Sequence, residues 1–157
     1  SMGYKETLNR GDVQYMSAGT GLTHSEMNES KDKALRFLQI WILPSSRGLK
    51  TQYGSKKYKK AARHNKLLHV AAGGDADGAI KIHQDANIYV SEIDKGKTVD
   101  LSIKQGRQAY LVCVEGSLSM GGVELKERDA VKIIGKEDLS IAAATGAHLL
   151  AIEMVLV

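Results

Sequence analysis

His24 and Glu26 are the pair of side chains best placed by type and spacing to do chemistry. They lie in the run Met16-Ser17-Ala18-Gly19-Thr20-Gly21-Leu22-Thr23-His24-Ser25-Glu26-Met27-Asn28. If Thr23 to Met27 is extended, side chains two apart project to one side, about 7 Å from each other along the backbone. An imidazole nitrogen and a carboxylate oxygen can then reach one ion, and this donor pair suits iron, manganese, nickel, copper or zinc. Gly19 and Gly21 let the preceding turn fold tightly and bring the backbone near that point. A bare His-x-Glu is common on protein surfaces, so the pair needs context before it counts as a metal site. The other histidines, His64, His69, His83 and His148, form no second cluster in sequence, and the chain contains no His-x-His. One chain therefore supplies two ligands, which leaves most of a transition metal's coordination sphere to water. His83 and His148 read as structural, the latter within an apolar closing strand.

The elements that must position this pair are strands. Apolar runs are short, rich in β-branched residues and bounded by glycine or charge. The expected strands are Val13–Met16, Leu35–Ile42, Ile80–His83, Asn87–Ile93, Val99–Ile103, Ala109–Val114, Ser117–Met120, Val123–Leu125, Ala130–Ile134, Leu139–Ala142 and His148–Val155. In Thr98–Lys104 the alternation puts Val99, Leu101 and Ile103 on one face, expected to be core. Gly121-Gly122 tolerates the positive φ angles of a tight hairpin. Helix composition is confined to Tyr53–Asn65. The small, turn-prone run Ala71–Gly78 suggests a boundary before the dense series of strands that follows. Arg128-Asp129-Ala130-Val131-Lys132-Ile133 weakly echoes Gly11-Asp12-Val13-Gln14-Tyr15-Met16, each setting an acidic turn residue before a strand, as repeated barrel units would.

Bulk properties narrow the classes of function. The 157 residues carry a formal charge of +4, with 43% hydrophobic and 25% charged residues, an ordinary globular composition. The positive excess gathers at Lys50, Lys56, Lys57, Lys59, Lys60, Arg63 and Lys66, and a solvated segment accounts for it without nucleic acid. Cys113 is the only cysteine. It excludes an intramolecular disulfide and sits among apolar neighbours that suggest a buried thiol. With neither leader composition nor an apolar run of about 18 residues, the expected setting is soluble and cytoplasmic, with no membrane partner.

The spacing from Gly11 through Ser17-Ala18-Gly19 to His24 and Asn28 is similar to the second cupin motif, with serine in place of proline and two extra residues before the histidine. Those departures resemble the pirin family, which shares the pattern Met-Ser-Ala-Gly-Thr-Gly-x-x-His-Ser-Glu seen at Met16–Glu26. The likeness continues through Leu38-Gln39-Ile40-Trp41-Ile42-Leu43-Pro44 and Tyr53, and at Ile82-His83-Gln84-Asp85. The resemblance implies a mainly β fold of the cupin type, a double-stranded β-helix or jelly roll. It implies partial N-terminal cupin strands plus a basic linker at residues 3–66 and a complete C-terminal barrel at residues 67–157. Pirin-like proteins hold one metal, usually iron, through three histidines and one glutamate. The last two of these correspond to His24 and Glu26, while the His-Pro-His segment that gives the others has no counterpart here.

The resemblance also implies a metal-dependent dioxygenase of the quercetinase type, acting on a small aromatic substrate, if upstream or partner-chain ligands complete the site. Met16, Leu22 and Trp41 are the candidates to line its cavity, with ordinary barrel core as the other reading. The alternative function is a truncated, inactive cupin that works as a binding protein. In either case an incomplete first barrel leaves strand edges and apolar surface unpaired, so the chain is expected to form a homo-oligomer, including a dimer with exchanged strands.

Overall fold

The computed structural model describes residues 2–156, so the expected end of the second barrel at residue 157 lies outside the described residues. Among the described residues, twelve strands and one short helix follow in order. They are β1 (Val13–Ser17), β2 (Gln52–Lys56), α1 (Lys60–Arg63), β3 (Leu68–Ala72), β4 (Ile80–Lys81), β5 (Ala86–Ile93) and β6 (Thr98–Ile103). Then come β7 (Arg107–Glu115), β8 (Ser117–Met120), β9 (Val123–Lys126), β10 (Ala130–Ile134), β11 (Glu137–Ala143) and β12 (Ala147–Val155). Among the described residues no helix is long and apolar enough to cross a membrane.

The later strands form a six-stranded sheet, ordered β10-β7-β12-β5-β3-β4, and a four-stranded sheet, ordered β6-β11-β8-β9. The two sheets pack against one core as the halves of a sandwich, and among the described residues hydrogen bonding does not close them into a continuous barrel. Alternation in β6 works as the sequence requires: Val99, Leu101 and Ile103 are buried while Thr98, Asp100 and Ser102 are exposed. They meet Leu111, Cys113, Leu118, Ile141 and Leu149 in one core. The Gly121-Gly122 hairpin forms with Met120 opposite Val123, both glycines having positive φ (52° and 80°). This is the backbone hand that a two-residue turn between twisted strands demands.

The six-stranded sheet is covered on both faces. One side of β12 packs Leu149 and Ala151 into the sandwich. Its other side gives Leu150, Ile152 and Met154 to a second core, with Val70, Ile82 and Ile88 and with Val13, Tyr15, Ile42 and Tyr58 from the first part of the chain. That double burial explains why residues 147–155 read as a nearly unbroken apolar run.

Three expectations need correction. The helix proposed over Tyr53–Asn65 shrinks to the single turn Lys60–Arg63, because Gln52–Lys56 pairs antiparallel with β1 from Ser17↔Gln52 to Val13↔Lys56. Helix composition is a weak prior, a four-residue helix without a side-chain cap has little stability of its own, and ladder pairing prevails. The boundary at Ala71–Gly78 lies inside the second unit, since Ala71 and Ala72 belong to β3 and pair with both β4 and β5. Finally, Leu35–Ile42 forms no strand. Its pattern is suitable, but a strand exists through its neighbours, and among the described residues no backbone hydrogen bond joins 35–42 to another segment.

The weak sequence echo corresponds to repeated geometry. The Asp12 carboxylate accepts the Asn9 N–H at 2.8 Å while the Asp12 N–H donates to the Asn9 carbonyl at 2.9 Å. Asp129 does the same with Lys126, at 2.9 Å in both directions. The residues just before, Gly11 and Arg128, both have positive φ, at 85° and 74°. Each aspartate therefore closes a reverse turn that launches a strand, β1 in one unit and β10 in the other.

Candidate metal centre

The turn leading to His24 is rigidly built. The Gly21 N–H donates to the Ala18 carbonyl at 2.7 Å, and the Thr51 hydroxyl donates to the same oxygen at 3.1 Å. Gly19, at φ 55°, lies so close to Thr51 and Leu49 that a Cβ would overlap their backbone. Glycine is required there by conformation and by space. Past the pair, Asn28 closes the next turn: its Nδ2 donates to the Lys33 carbonyl at 2.7 Å and its Oδ1 accepts the Ser30 N–H at 3.1 Å.

Between these two turns His24 and Glu26 are exposed and carry no regular secondary structure. Gln39 brings its amide nitrogen within 3.4 Å of His24 Nε2, which sets the stretch 35–43 beside the pair. Met16 on β1 and Leu22 are half-buried, whereas Trp41 is 86% exposed and lines no enclosed space in this chain. Among the described residues no group of three or more His, Cys, Asp or Glu side chains is placed to hold a metal ion. The donor types of His24 and Glu26 fit a divalent transition metal, and their number falls short of a complete set.

The second unit shows what the pair lacks. Counted from the turn aspartate, position 24 is as far from Asp12 as Ile141 is from Asp129, and position 26 corresponds in the same way to Ala143. Ile141 (0% exposed) and Ala143 (2%) both point into the sandwich core. Their strand β11 is held extended between β6 and β8. No described strand flanks residues 22–28 in that way. At the matching positions the first unit has imidazole and carboxylate, and the second has isoleucine and alanine.

Reading along the sequence missed a charged cluster that ties the two parts together. Arg10 donates from Nε to Glu92 at 3.0 Å and bidentately from Nη1 and Nη2 to Glu115, at 2.9 and 2.7 Å. Arg63, 4% exposed, donates from Nε to the same Glu92 oxygen at 3.1 Å and from Nη1 to the Tyr58 carbonyl at 3.2 Å. Burial raises the Glu92 pKa, and the hydrogen bonds from Arg10 and Arg63 outweigh it, for a net lowering. Glu115 is lowered by the Arg10 hydrogen bond against burial. His148, whose Nδ1 is 3.5 Å from Arg10 Nη2, has its pKa lowered by burial and then by the Arg10 charge. The structural reading of His148 thus has a definite environment, and His83 uses its backbone carbonyl, which accepts from the Ser45 N–H at 2.8 Å. No local signal marks Arg63 among the lysines as the buried cation; its charged partner, Glu92, lies 29 residues away.

Comparison with known proteins follows this geometry. The family described as Quercetinase C-terminal cupin domain matches residues 58–154, and the family described as Pirin matches residues 1–42. The chain belongs to the pirin family of cupins. Its relatives include a pirin-like protein of Caulobacter vibrioides, 35% identical over 98% of this chain and 66% of that protein. Quercetin 2,3-dioxygenase of Escherichia coli K12 is 31% identical, over 98% of this chain and 65% of the relative. The chain thus spans a little under two thirds of the pirins it matches. Two crystal structures of YhhW from Escherichia coli superpose with TM-scores of 0.91 and 0.88 at 30% identity, covering 100% and 99% of this chain and 66% of YhhW. The second is bacterial pirin YhhW in complex with nickel(II).

Proposed function

We propose that this pirin is part of a metal-dependent dioxygenase of the quercetin type, in which His24 and Glu26 supply half of the ligand shell and ligands from outside this single set of residues complete it. The observation that carries the reading is the internal repeat: positions 24 and 26 match Ile141 and Ala143, which both face the interior of their sandwich. A half-site at that depth would be shielded from water once its strand is flanked. The names of the relatives support the reaction class, and the nickel complex of a related bacterial pirin supports a divalent metal. Iron is our assignment for this chain, by family resemblance.

The metal would act as a Lewis acid, polarising the oxygens of a small flavonol substrate. The contribution of the chain's own residues is orientation. Gly19 and the Thr51–Ala18 hydrogen bond fix the entry to the ligand segment, Gln39 sits beside the imidazole, and Met16, Leu22 and Trp41 would form an apolar wall. We place this reaction in the cytoplasm, with neither nucleic acid nor membrane as partner. The test is metal content and oxygen-dependent quercetin consumption in protein purified without chelator, compared with His24→Ala. Both should be lost in the variant; metal content unchanged by the substitution would remove the assignment.

A further inference from the structure

His148 stands between two carboxylates on one face of the six-stranded sheet. The pairing of β12 sets it opposite Glu92 on β5 and opposite Glu115 on β7, so the three side chains form a row across neighbouring strands. Arg10 spans that row from outside the sheet, with Nε 3.0 Å from Glu92 and Nη1 and Nη2 at 2.9 and 2.7 Å from Glu115. Its Nη2 is also 3.5 Å from His148 Nδ1. A guanidinium can only donate, so Nδ1 is the acceptor nitrogen and the imidazole is neutral in this arrangement.

In this state two cations, Arg10 and Arg63, face two anions, Glu92 and Glu115. Around them His64 is paired with Asp94 at 2.8 Å, Arg36 with Glu127 at 3.0 Å, and Lys60 adds positive charge to the same cleft. A proton on His148 would set a third cation against the same two carboxylates. Nδ1 could then no longer accept from Arg10 and would turn a donor toward Glu92 and Glu115. One cation has to leave, and exposure decides which. Arg63 is 4% exposed and has no path to water without opening the core around it, whereas Arg10 is 55% exposed and hydrates where it stands. Arg10 directly precedes the Gly11-Asp12 turn that launches β1, and the other side-chain partners ahead of that turn, Tyr53 for Tyr4 and Glu6 and Ser55 for Glu6, belong to the first part of the chain.

We propose that His148 and Arg10 exchange on Glu92 and Glu115 as pH falls: the imidazolium takes over the two carboxylates, and Arg10 lets go of the second unit. The row is thus a proton-operated clasp at the joint between the two parts of the chain. It goes beyond the metal half-site and does not depend on it.

An NMR titration of the isotope-labelled chain from about pH 8 to about pH 5 reads the His148 ring protons and the Nε–H signals of Arg10 and Arg63 on one sample, with circular dichroism to follow the fold. The expected result is that the Arg10 signal shifts to that of a free arginine with the same midpoint as His148, while Arg63 keeps its bound position. His148→Gln, which cannot take up a proton, should hold Arg10 in place through the same range. Arg10→Gln should raise the His148 midpoint, because a neighbouring cation has gone. An Arg10 signal unmoved while His148 titrates would overturn the proposal, as would an equal shift in His148→Gln or the release of Arg63 in place of Arg10. A His148 midpoint that stays where it was in Arg10→Gln would overturn it too, and this variant decides the matter alone if His148→Gln does not fold.

Discussion

Replacing Glu92 with glutamine tests the charged cluster that joins the two parts of the chain. The substitution keeps shape and one hydrogen-bond acceptor but removes the carboxylate that serves both Arg10 and Arg63. Arg63, with 4% of its side chain exposed, is left with neutral acceptors: the carbonyls of Tyr58 at 3.2 Å and Arg10 at 3.4 Å. Removing one partner of a buried ion pair costs about 3–5 kcal/mol, since the remaining charge has lost its compensation. Glu92 keeps 14% exposure and glutamine can still accept a bond, so the expected cost falls below that range, at about 2–3 kcal/mol. For a chain of this size that lowers Tm by roughly 4–12 °C. Circular dichroism during thermal and urea unfolding is the suitable assay, because Trp41 is already exposed and reports little on this seam. Arg10→Gln is the control: Arg10 is 55% exposed, and its loss should cost about 1 kcal/mol or less. If Glu92→Gln lies within about 0.5 kcal/mol of the parent, or costs no more than Arg10→Gln, the buried-charge reasoning is wrong.

The same cluster predicts a pH response. Glu92 and Glu115 have folded-state pKa values below their unfolded ones, so their stabilisation is present above the unfolded values and lost as pH falls through the folded ones. His148 is also lowered, from an ordinary 6.5, so the unfolded chain takes up that proton first and stability starts to fall below this pH. His148→Gln should flatten the slope just below pH 6.5 in a urea titration, and an unchanged slope would assign it elsewhere. Cys113 is fully buried with its pKa raised, chiefly by burial and then by Asp129 and Glu127. A thiol reagent should modify it only on unfolding, and rapid labelling of the native protein would contradict that. A Cβ at Gly73 would overlap the Gln84 carbonyl oxygen, so Gly73→Ala should cost about 1–3 kcal/mol in urea unfolding. Leu149, fully buried between β5 and β7, should cost about 2–5 kcal/mol when cut to alanine.

Local chemistry was enough to determine much of this molecule. The period-2 burial of Val99, Leu101 and Ile103, the Gly121-Gly122 hairpin and the aspartate turns at 12 and 129 follow from side-chain alternation, backbone freedom and short-range hydrogen bonds. The run from Met16 to Glu26 was sufficient to suggest both the donor pair and the family. Tertiary structure decided whatever depends on a distant neighbour. Leu35–Leu43 has a strand's composition but no ladder among the described residues, since pairing is a property of two segments. Tyr53–Lys56 looked helical and became β2, because β1 offered it hydrogen bonds. Arg63 differs from the lysines around it only through Glu92, which folding brings within 3.1 Å. Finally, His24 and Glu26 are exposed, whereas the matching positions Ile141 and Ala143 are buried by strands that are far away along the chain.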